Sequence, residues 1–359
     1  MEIEENPIKL EVCSIKELHK AMLKCKKGVL WKDSVAHFYS RGLIRCYKLK
    51  QKLLSNTYEI SKYINFVIFE PKRRDIVSTR FVDRVFQRSL RHNYLREEVE
   101  KDFIPDNYAC QIGKGNHKAI RAFVNHLHQQ WQETGLDGFI LKCDIHNYFG
   151  STSHQVAKDK TSYIRDPWAK KELYRIIDSF TQGEDPNIGM GLGSEITQSV
   201  QLAVLHPMDI LITKDLGIKH FIRYMDDFYL FSNSKTLLNN CYRLIIKYIE
   251  GNGLTLNPDK TQIQRLDQPI HFLGFSYRLK SNGKVSMKVL PEKVKKNKRR
   301  LRKIILKLRL SREECDNTLM AILAHMKKSN NRSQITKMIN YYKSLWEVRD
   351  NERISINSR

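Results

Sequence analysis

The sequence predicts an α+β fold on three observations. Short apolar runs of strand length, such as residues 66–69, 139–141 and 228–231, lie between longer stretches whose apolar residues fall at helical spacing. An adjacent acidic pair, Asp226-Asp227, sits between two runs of strand formers, residues 220–224 and 228–231, and reads as a β-hairpin with a charged tip. Composition then shifts near Tyr277. Residues 278–349 hold 21 Lys or Arg against 5 Asp or Glu, with apolar positions on one helical face, which predicts a basic helical segment.

Taken in order, residues 15–54 read as mixed amphipathic helix rich in Lys and Arg. Residues 66–69 (FVIF) form a short buried strand ended by Glu70-Pro71, because proline lacks the donor a ladder needs. The basic turn Lys72-Arg73-Arg74 leads into a second strand through Asp75-Ile76-Val77. Phe81, Val82, Val85, Phe86 and Leu90 are spaced for a helix over 81–94. Further helices span 119–131 and 168–180, the latter with Pro167 where a first turn tolerates it. Between them Phe139-Ile140-Leu141 is a compact strand running into Lys142-Cys143-Asp144. The segment 189–193 (GMGLG) enters a long helix over 196–211. After the acidic hairpin, a helix over 237–250 is closed by Gly251, and residues 254–257 and 271–275 are short strands. Val294, Leu301, Ile304, Ile305 and Leu308 share the apolar face of the basic segment.

Composition narrows the function classes. A hydrophobic fraction of 41% supports a sizeable core, and 359 residues suffice for two or three domains. The net charge of +24 calls for a polyanionic partner, and nucleic acid fits better than an acidic membrane. No apolar run approaches the roughly 20 residues of a membrane span, and the acidic start (MEIEE) is unlike a signal peptide. Seven scattered cysteines, an odd number without close spacing, argue against a zinc knuckle or a full disulfide set and fit a reducing cytoplasm.

The acidic pair carries the chemistry. Two like charges side by side are unfavourable in a partly buried site unless a cation neutralises them, and a hard divalent ion suits carboxylate oxygens. An acidic turn in solvent is the bland alternative. Asp144, closing a strand about 80 residues earlier, offers the third carboxylate that a two-metal site needs.

At this point the chain resembles the reverse transcriptases, in their prokaryotic, group II-like branch. Residues 139–153 (FILKCDIHNYFGSTS), 190–209 (MGLGSEITQSVQLAVLHPMD), 223–231 (RYMDDFYLF), 253–263 (GLTLNPDKTQI) and 271–275 (HFLGF) look like consecutive motifs of that family. Residues 69–85 and 103–120 look like its finger motifs. The resemblance implies a right-hand polymerase: fingers and palm over 61–280, a basic helical thumb and tail over 281–359, and a helical N-terminal extension over 1–60. It implies metal ligation of two Mg2+ ions, with Mn2+ as a substitute, by Asp144, Asp226, Asp227 and the carbonyl of Ile145. Lys260 matches the lysine that protonates departing pyrophosphate. Lys72 and Arg74 match the cations that hold the incoming triphosphate, and Phe149 matches the gate against a 2′-hydroxyl. Phe272, Leu273 and Gly274 match the primer grip.

Departures from the common pattern are specific. Leu192-Gly193 and Thr197-Gln198 stand where many reverse transcriptases have Gln-Gly and Ser-Pro, a pattern similar to the enzymes of diversity-generating retroelements. Leu192 and Gln198 then border the incoming nucleotide, and loss of the amide at 192 implies looser geometric checking. Gln111 replaces an arginine common among relatives. The implied partners are an RNA template or structured noncoding RNA, a DNA product, dNTPs, and an accessory protein or second copy. Two roles are open: diversity generation or anti-phage defence. An RNA-binding, maturase-like scaffold and a template-independent nucleotidyl transferase are the alternatives in activity.

Overall fold

A computed structural model describes residues 6–69, 73–180 and 185–357. Helices and strands mix as the α+β reading expects, and among the described residues nine strands fall in three sheets. β1 (Ile64–Phe69) and β2 (Arg73–Ser78) form an antiparallel pair in which Ile64 faces Ser78 and Phe69 faces Arg73. β3 (Phe139–Asp144), β4 (His220–Tyr224), β5 (Asp227–Ser232) and β6 (Gln262–Arg265) form a sheet in the order β4-β5-β3-β6. β7 (Ile270–Phe272), β8 (Phe275–Leu279) and β9 (Val285–Val289) form an antiparallel meander.

The chain divides into two compact units. The first comprises Met1–Gly115, Leu141–Leu230 and Asn239–Gln262. Its central element is the helix Glu195–Ile210, which buries residues on nearly every face, from Ile196 to Asp209. Ser194 caps it, its hydroxyl accepting from the Ile196 and Thr197 N–H groups. The helix Phe81–Leu90 continues through a π-helical turn, Arg91–Leu95, into Arg96–Glu100.

The second unit comprises Asn116–Ile140, Phe231–Leu238 and Ile263–Arg359. In it Phe123, on the helix Asn116–Thr134, stacks on Phe272 at 4.7 Å and meets Tyr277 at 4.8 Å. The edge strand β9 is closed by side-chain amides rather than another strand. Asn330 bonds the Met287 N–H and Val285 carbonyl, and Gln334 bonds both backbone groups of Val289. Helices Pro291–Arg302, Arg312–Met326 and Arg332–Asn357 follow.

Four sequence expectations change. The apolar run of β1 is exposed throughout, with Phe69 74% exposed, because its sheet is only two strands wide. Residues 254–257 make a single bridge, Ile145 to Leu256, instead of a strand. The Asn257 carboxamide oxygen accepts the Asp259 N–H and turns the chain there. Residues 271–275 are a hairpin: Leu273 and Gly274 both have positive φ, 46° and 85°, as a tight two-residue turn requires. Leu308, expected on the apolar face of the basic helix, is 55% exposed beyond a π-helical turn, while Leu301, Ile304 and Ile305 are buried. The seven cysteines are free. Among the described residues no helix is long and apolar enough to cross a membrane.

Candidate active site

Two acid-bearing segments meet in the first unit. β3 ends on Asp144, and its sheet neighbour β5 opens on Asp227. The Ile145 N–H donates to the Asp226 carbonyl at 3.3 Å, tying the residue after β3 to the turn that carries the acidic pair. A third segment closes over β3. The Asn257 N–H reaches the Asp144 carbonyl at 2.7 Å, and the His146 N–H reaches the Thr255 carbonyl at 2.8 Å.

The three carboxylates occupy different environments. Asp144 is 8% exposed, and its two oxygens lie 2.7 and 2.8 Å from Lys260 Nζ, with Asn257 Nδ2 at 3.2 Å. Asp227 Oδ2 accepts from the Tyr229 hydroxyl at 3.2 Å, whereas Asp227 Oδ1 is sealed from solvent without a hydrogen-bond partner among the described residues. Burial pushes the Asp227 carboxyl up to about 7; Lys142 opposes the rise, and the neighbouring Asp144 and Asp226 charges add to it. Asp226 sits half-buried in the turn itself.

A buried carboxylate oxygen lacking a donor is chemically matched to a hard cation, and the carboxylates with the Ile145 carbonyl are the oxygen donors Mg2+ takes. The residues therefore fit the ions by donor type. They are not preassembled: among the described residues no group of three His, Cys, Asp or Glu is arranged to hold a metal. At Asp144 the Lys260 ammonium neutralises the carboxylate as a cation would.

Phe149 lies five residues beyond Asp144, half-buried in the short helix Tyr148–Ser151. Its carbonyl accepts the Met190 N–H at 2.6 Å, tying the Gly-rich segment to it. Leu192 and Gln198 are half-buried at the start of the helix Glu195–Ile210. Lys72 and the Arg74 side chain lie outside the described residues. Phe272, Leu273 and Gly274 belong to the second unit, where they form the β7–β8 turn. A side chain at Gly274 would meet the Lys293 ammonium.

Two features escape sequence reading. Arg223 and Asp209 form a fully buried ion pair. Both belong to recognisable motifs, but nothing in their spacing of 14 residues says they touch. The second is a cavity of about 260 Å3 lined by Lys24, Cys25, Lys27, Arg84, Gln87, Arg88 and the helix start Gly193-Ser194-Glu195. Glu195 pairs with Arg88. Gln87 is 2% exposed; its oxygen accepts from Ser194, and its Nε2 has no partner among the described residues. Burial pushes the Cys25 thiol up to about 11, so it adds no charge. The helical spacing of Arg84, Gln87 and Arg88 is the only sequence signal for this cavity.

A family profile described as reverse transcriptase (RNA-dependent DNA polymerase) matches residues 72–277. A search of curated proteins finds no match. Among solved structures, the chain is similar to telomerase from Candida albicans in complex with a TWJ fragment of telomeric RNA. The identity is 14% and the TM-score 0.48, over 77% of this chain and 55% of that one. The chain thus spans about half the length of that telomerase chain. The profile covers more than half of the 359 residues and contains all three aspartates, Lys260 and the Gly-rich segment, so the chain belongs to the reverse transcriptase (RNA-dependent DNA polymerase) family.

Proposed function

We propose that this chain extends a primer with dNTPs on an RNA template, using two Mg2+ ions held by Asp144, Asp226, Asp227 and the Ile145 carbonyl. The observation that carries the reading is Asp227 Oδ1, a buried acceptor without a donor on the strand beside Asp144. Ions held by these residues would supply positive charge that stabilises an in-line phosphoryl transfer. Lys260 releases Asp144 to the cation, and its ammonium is then available to protonate departing pyrophosphate. Lys72 and Arg74 hold the triphosphate, Leu192 and Gln198 border the nascent base pair, and Phe272, Leu273 and Gly274 grip the primer. Residues 61–280 act as fingers and palm and 281–359 as thumb, with Mn2+ able to replace Mg2+.

The test is primer extension on RNA with dNTPs and Mg2+, with a parallel reaction lacking template. Equal product without template would make the chain a template-independent nucleotidyl transferase.

Phe149 supports deoxynucleotide selection through its ring. Phe149→Ala is expected to raise the ratio of rNTP to dNTP kcat/KM by about 10- to 100-fold, in line with ~1–3 kcal/mol of steric discrimination. An unchanged ratio would remove Phe149 from the sugar site.

The cationic cavity supports a template contact. Four cations face one carboxylate there, at the N-terminus of a long helix. The Lys24→Gln, Lys27→Gln double variant is expected to lower the slope of log K against log salt for RNA by about 1–2, since each phosphate contact contributes about 0.7–0.9. Parallel salt plots for variant and parent would exclude these lysines.

In biological role we place the chain in a prokaryotic cytoplasm, copying a dedicated structured RNA. Leu192 and Gln198 support diversity generation over phage defence. Products that copy template adenines faithfully, beside a noncoding RNA in a defence island, would reverse that preference.

A further inference from the structure

Among the described residues Arg223 is the largest fully buried side chain, and its type is almost never sealed from water unless paired. Its guanidinium clasps Asp209, at the end of the helix Glu195–Ile210, through Nε–Oδ1 at 2.7 Å and Nη2–Oδ2 at 2.5 Å. Nη2 also reaches the Leu202 carbonyl at 3.3 Å. Nη1 points the other way and donates to the Met225 carbonyl at 3.1 Å. The Arg223 backbone is fixed as well: its N–H donates to the Asp106 carbonyl, and its carbonyl accepts the Tyr108 N–H.

Met225 immediately precedes Asp226 and has φ 61°, the left-handed region a side chain disfavours. Such a conformation persists only where surrounding contacts hold it. The carbonyl that Arg223 binds belongs to the peptide plane joining Met225 to Asp226. Holding that plane limits rotation at the turn and therefore limits where the two carboxylates point.

We propose that Arg223 is a positioning residue: locked on Asp209, it holds the Met225 carbonyl and thereby sets the placement of the Asp226 and Asp227 carboxylates for divalent ions. The inference rests on the polymerase reading of that turn. A buried ion pair serving only the core would need two arms of the fork, and the third arm would not have to face the catalytic turn. Lysine could supply the charge but not the planar, three-way fork.

Two variants of the full chain separate positioning from stability. The Asp209→Leu, Arg223→Met double variant removes both charges, so no buried charge is orphaned and the fold can persist. It also removes the bond to the Met225 carbonyl. Arg223→Lys keeps the charge and loses the fork. Mn2+ alone is the probe, with free ion measured by paramagnetic resonance, alongside primer extension on folded protein verified by circular dichroism. The double variant is expected to melt near the parent temperature, bind Mn2+ about tenfold more weakly, and lose about 10- to 100-fold in kcat with dNTP KM nearly unchanged. Arg223→Lys should fall between the two.

Parent-like Mn2+ affinity and kcat in the double variant would overturn the proposal and leave Arg223 as a core ion pair. If the double variant does not fold, the same two readings on Arg223→Lys decide the matter. Full extension by a variant lacking Asp226 and Asp227 would sink the polymerase reading instead, so the two ideas fail by different results.

Discussion

Replacing Asp226 and Asp227 together by alanine is expected to lower primer extension by at least about 1,000-fold, some 4 kcal/mol of transition-state stabilisation. Two of the three carboxylates that would hold the ions are then gone, and Asp144 has Lys260 as its existing partner. The fold should tolerate the change. Asp227 is a half-buried acid with an unsatisfied oxygen and two acidic neighbours. Its folded pKa, about 7, stands above the ordinary 3.8, so the folded state holds the proton more tightly than the unfolded chain. In metal-free buffer that destabilisation is absent below about pH 4 and grows to its full value above about pH 7. The double variant should therefore melt at or above the parent temperature at pH 8, with the gain vanishing near pH 4. Activity and stability moving in opposite directions is the signature of a functional site. A variant that extends primers as well as the parent, or that loses activity only by unfolding, would refute the assignment.

Arg223→Leu is expected to produce the largest loss of stability. Removing one partner of a fully buried ion pair leaves the other uncompensated, at about 3–5 kcal/mol. Burial, which pushes the Asp209 carboxyl up, would then be opposed only by His206 and Lys114, and the carboxyl would take a proton more readily. A carboxyl whose folded pKa is raised withdraws stability as pH climbs through the window between its unfolded and folded values. The deficit of the variant should thus be smaller at pH 5 than at pH 8, read from denaturant unfolding at both. Equal deficits would mean that lost packing, not an orphaned carboxylate, dominates. Because Arg223 also binds the Met225 carbonyl, this variant is expected to lose activity too, and only the charge-free double variant separates the two effects.

The positions of the acids were legible in the primary sequence. Strand formers flanking Asp226-Asp227 and preceding Asp144 are local patterns, and local pattern suffices to put Asp144 at a strand end and the acidic pair at a hairpin tip. The helices were legible for the same reason: apolar spacing in 81–94 and 119–131 is a short-range property. The run Phe66–Phe69 shows the limit. Its composition satisfies a buried strand, but burial depends on what covers it, and among the described residues β1 pairs with β2 alone.

Periodicity and turn chemistry act within a few residues, so the sequence by itself determined the α+β class, the order of elements, the basic C-terminal helices and the identity of the three aspartates. Tertiary structure decided which groups meet: Lys260 on Asp144, the orphaned oxygen of Asp227, and Arg223 between Asp209 and the acidic turn. The Arg223–Asp209 and Lys260–Asp144 contacts join residues 14 and 116 positions apart. No propensity carries across such a distance; only chain packing, which trades conformational entropy against burial over the whole unit, brings them together.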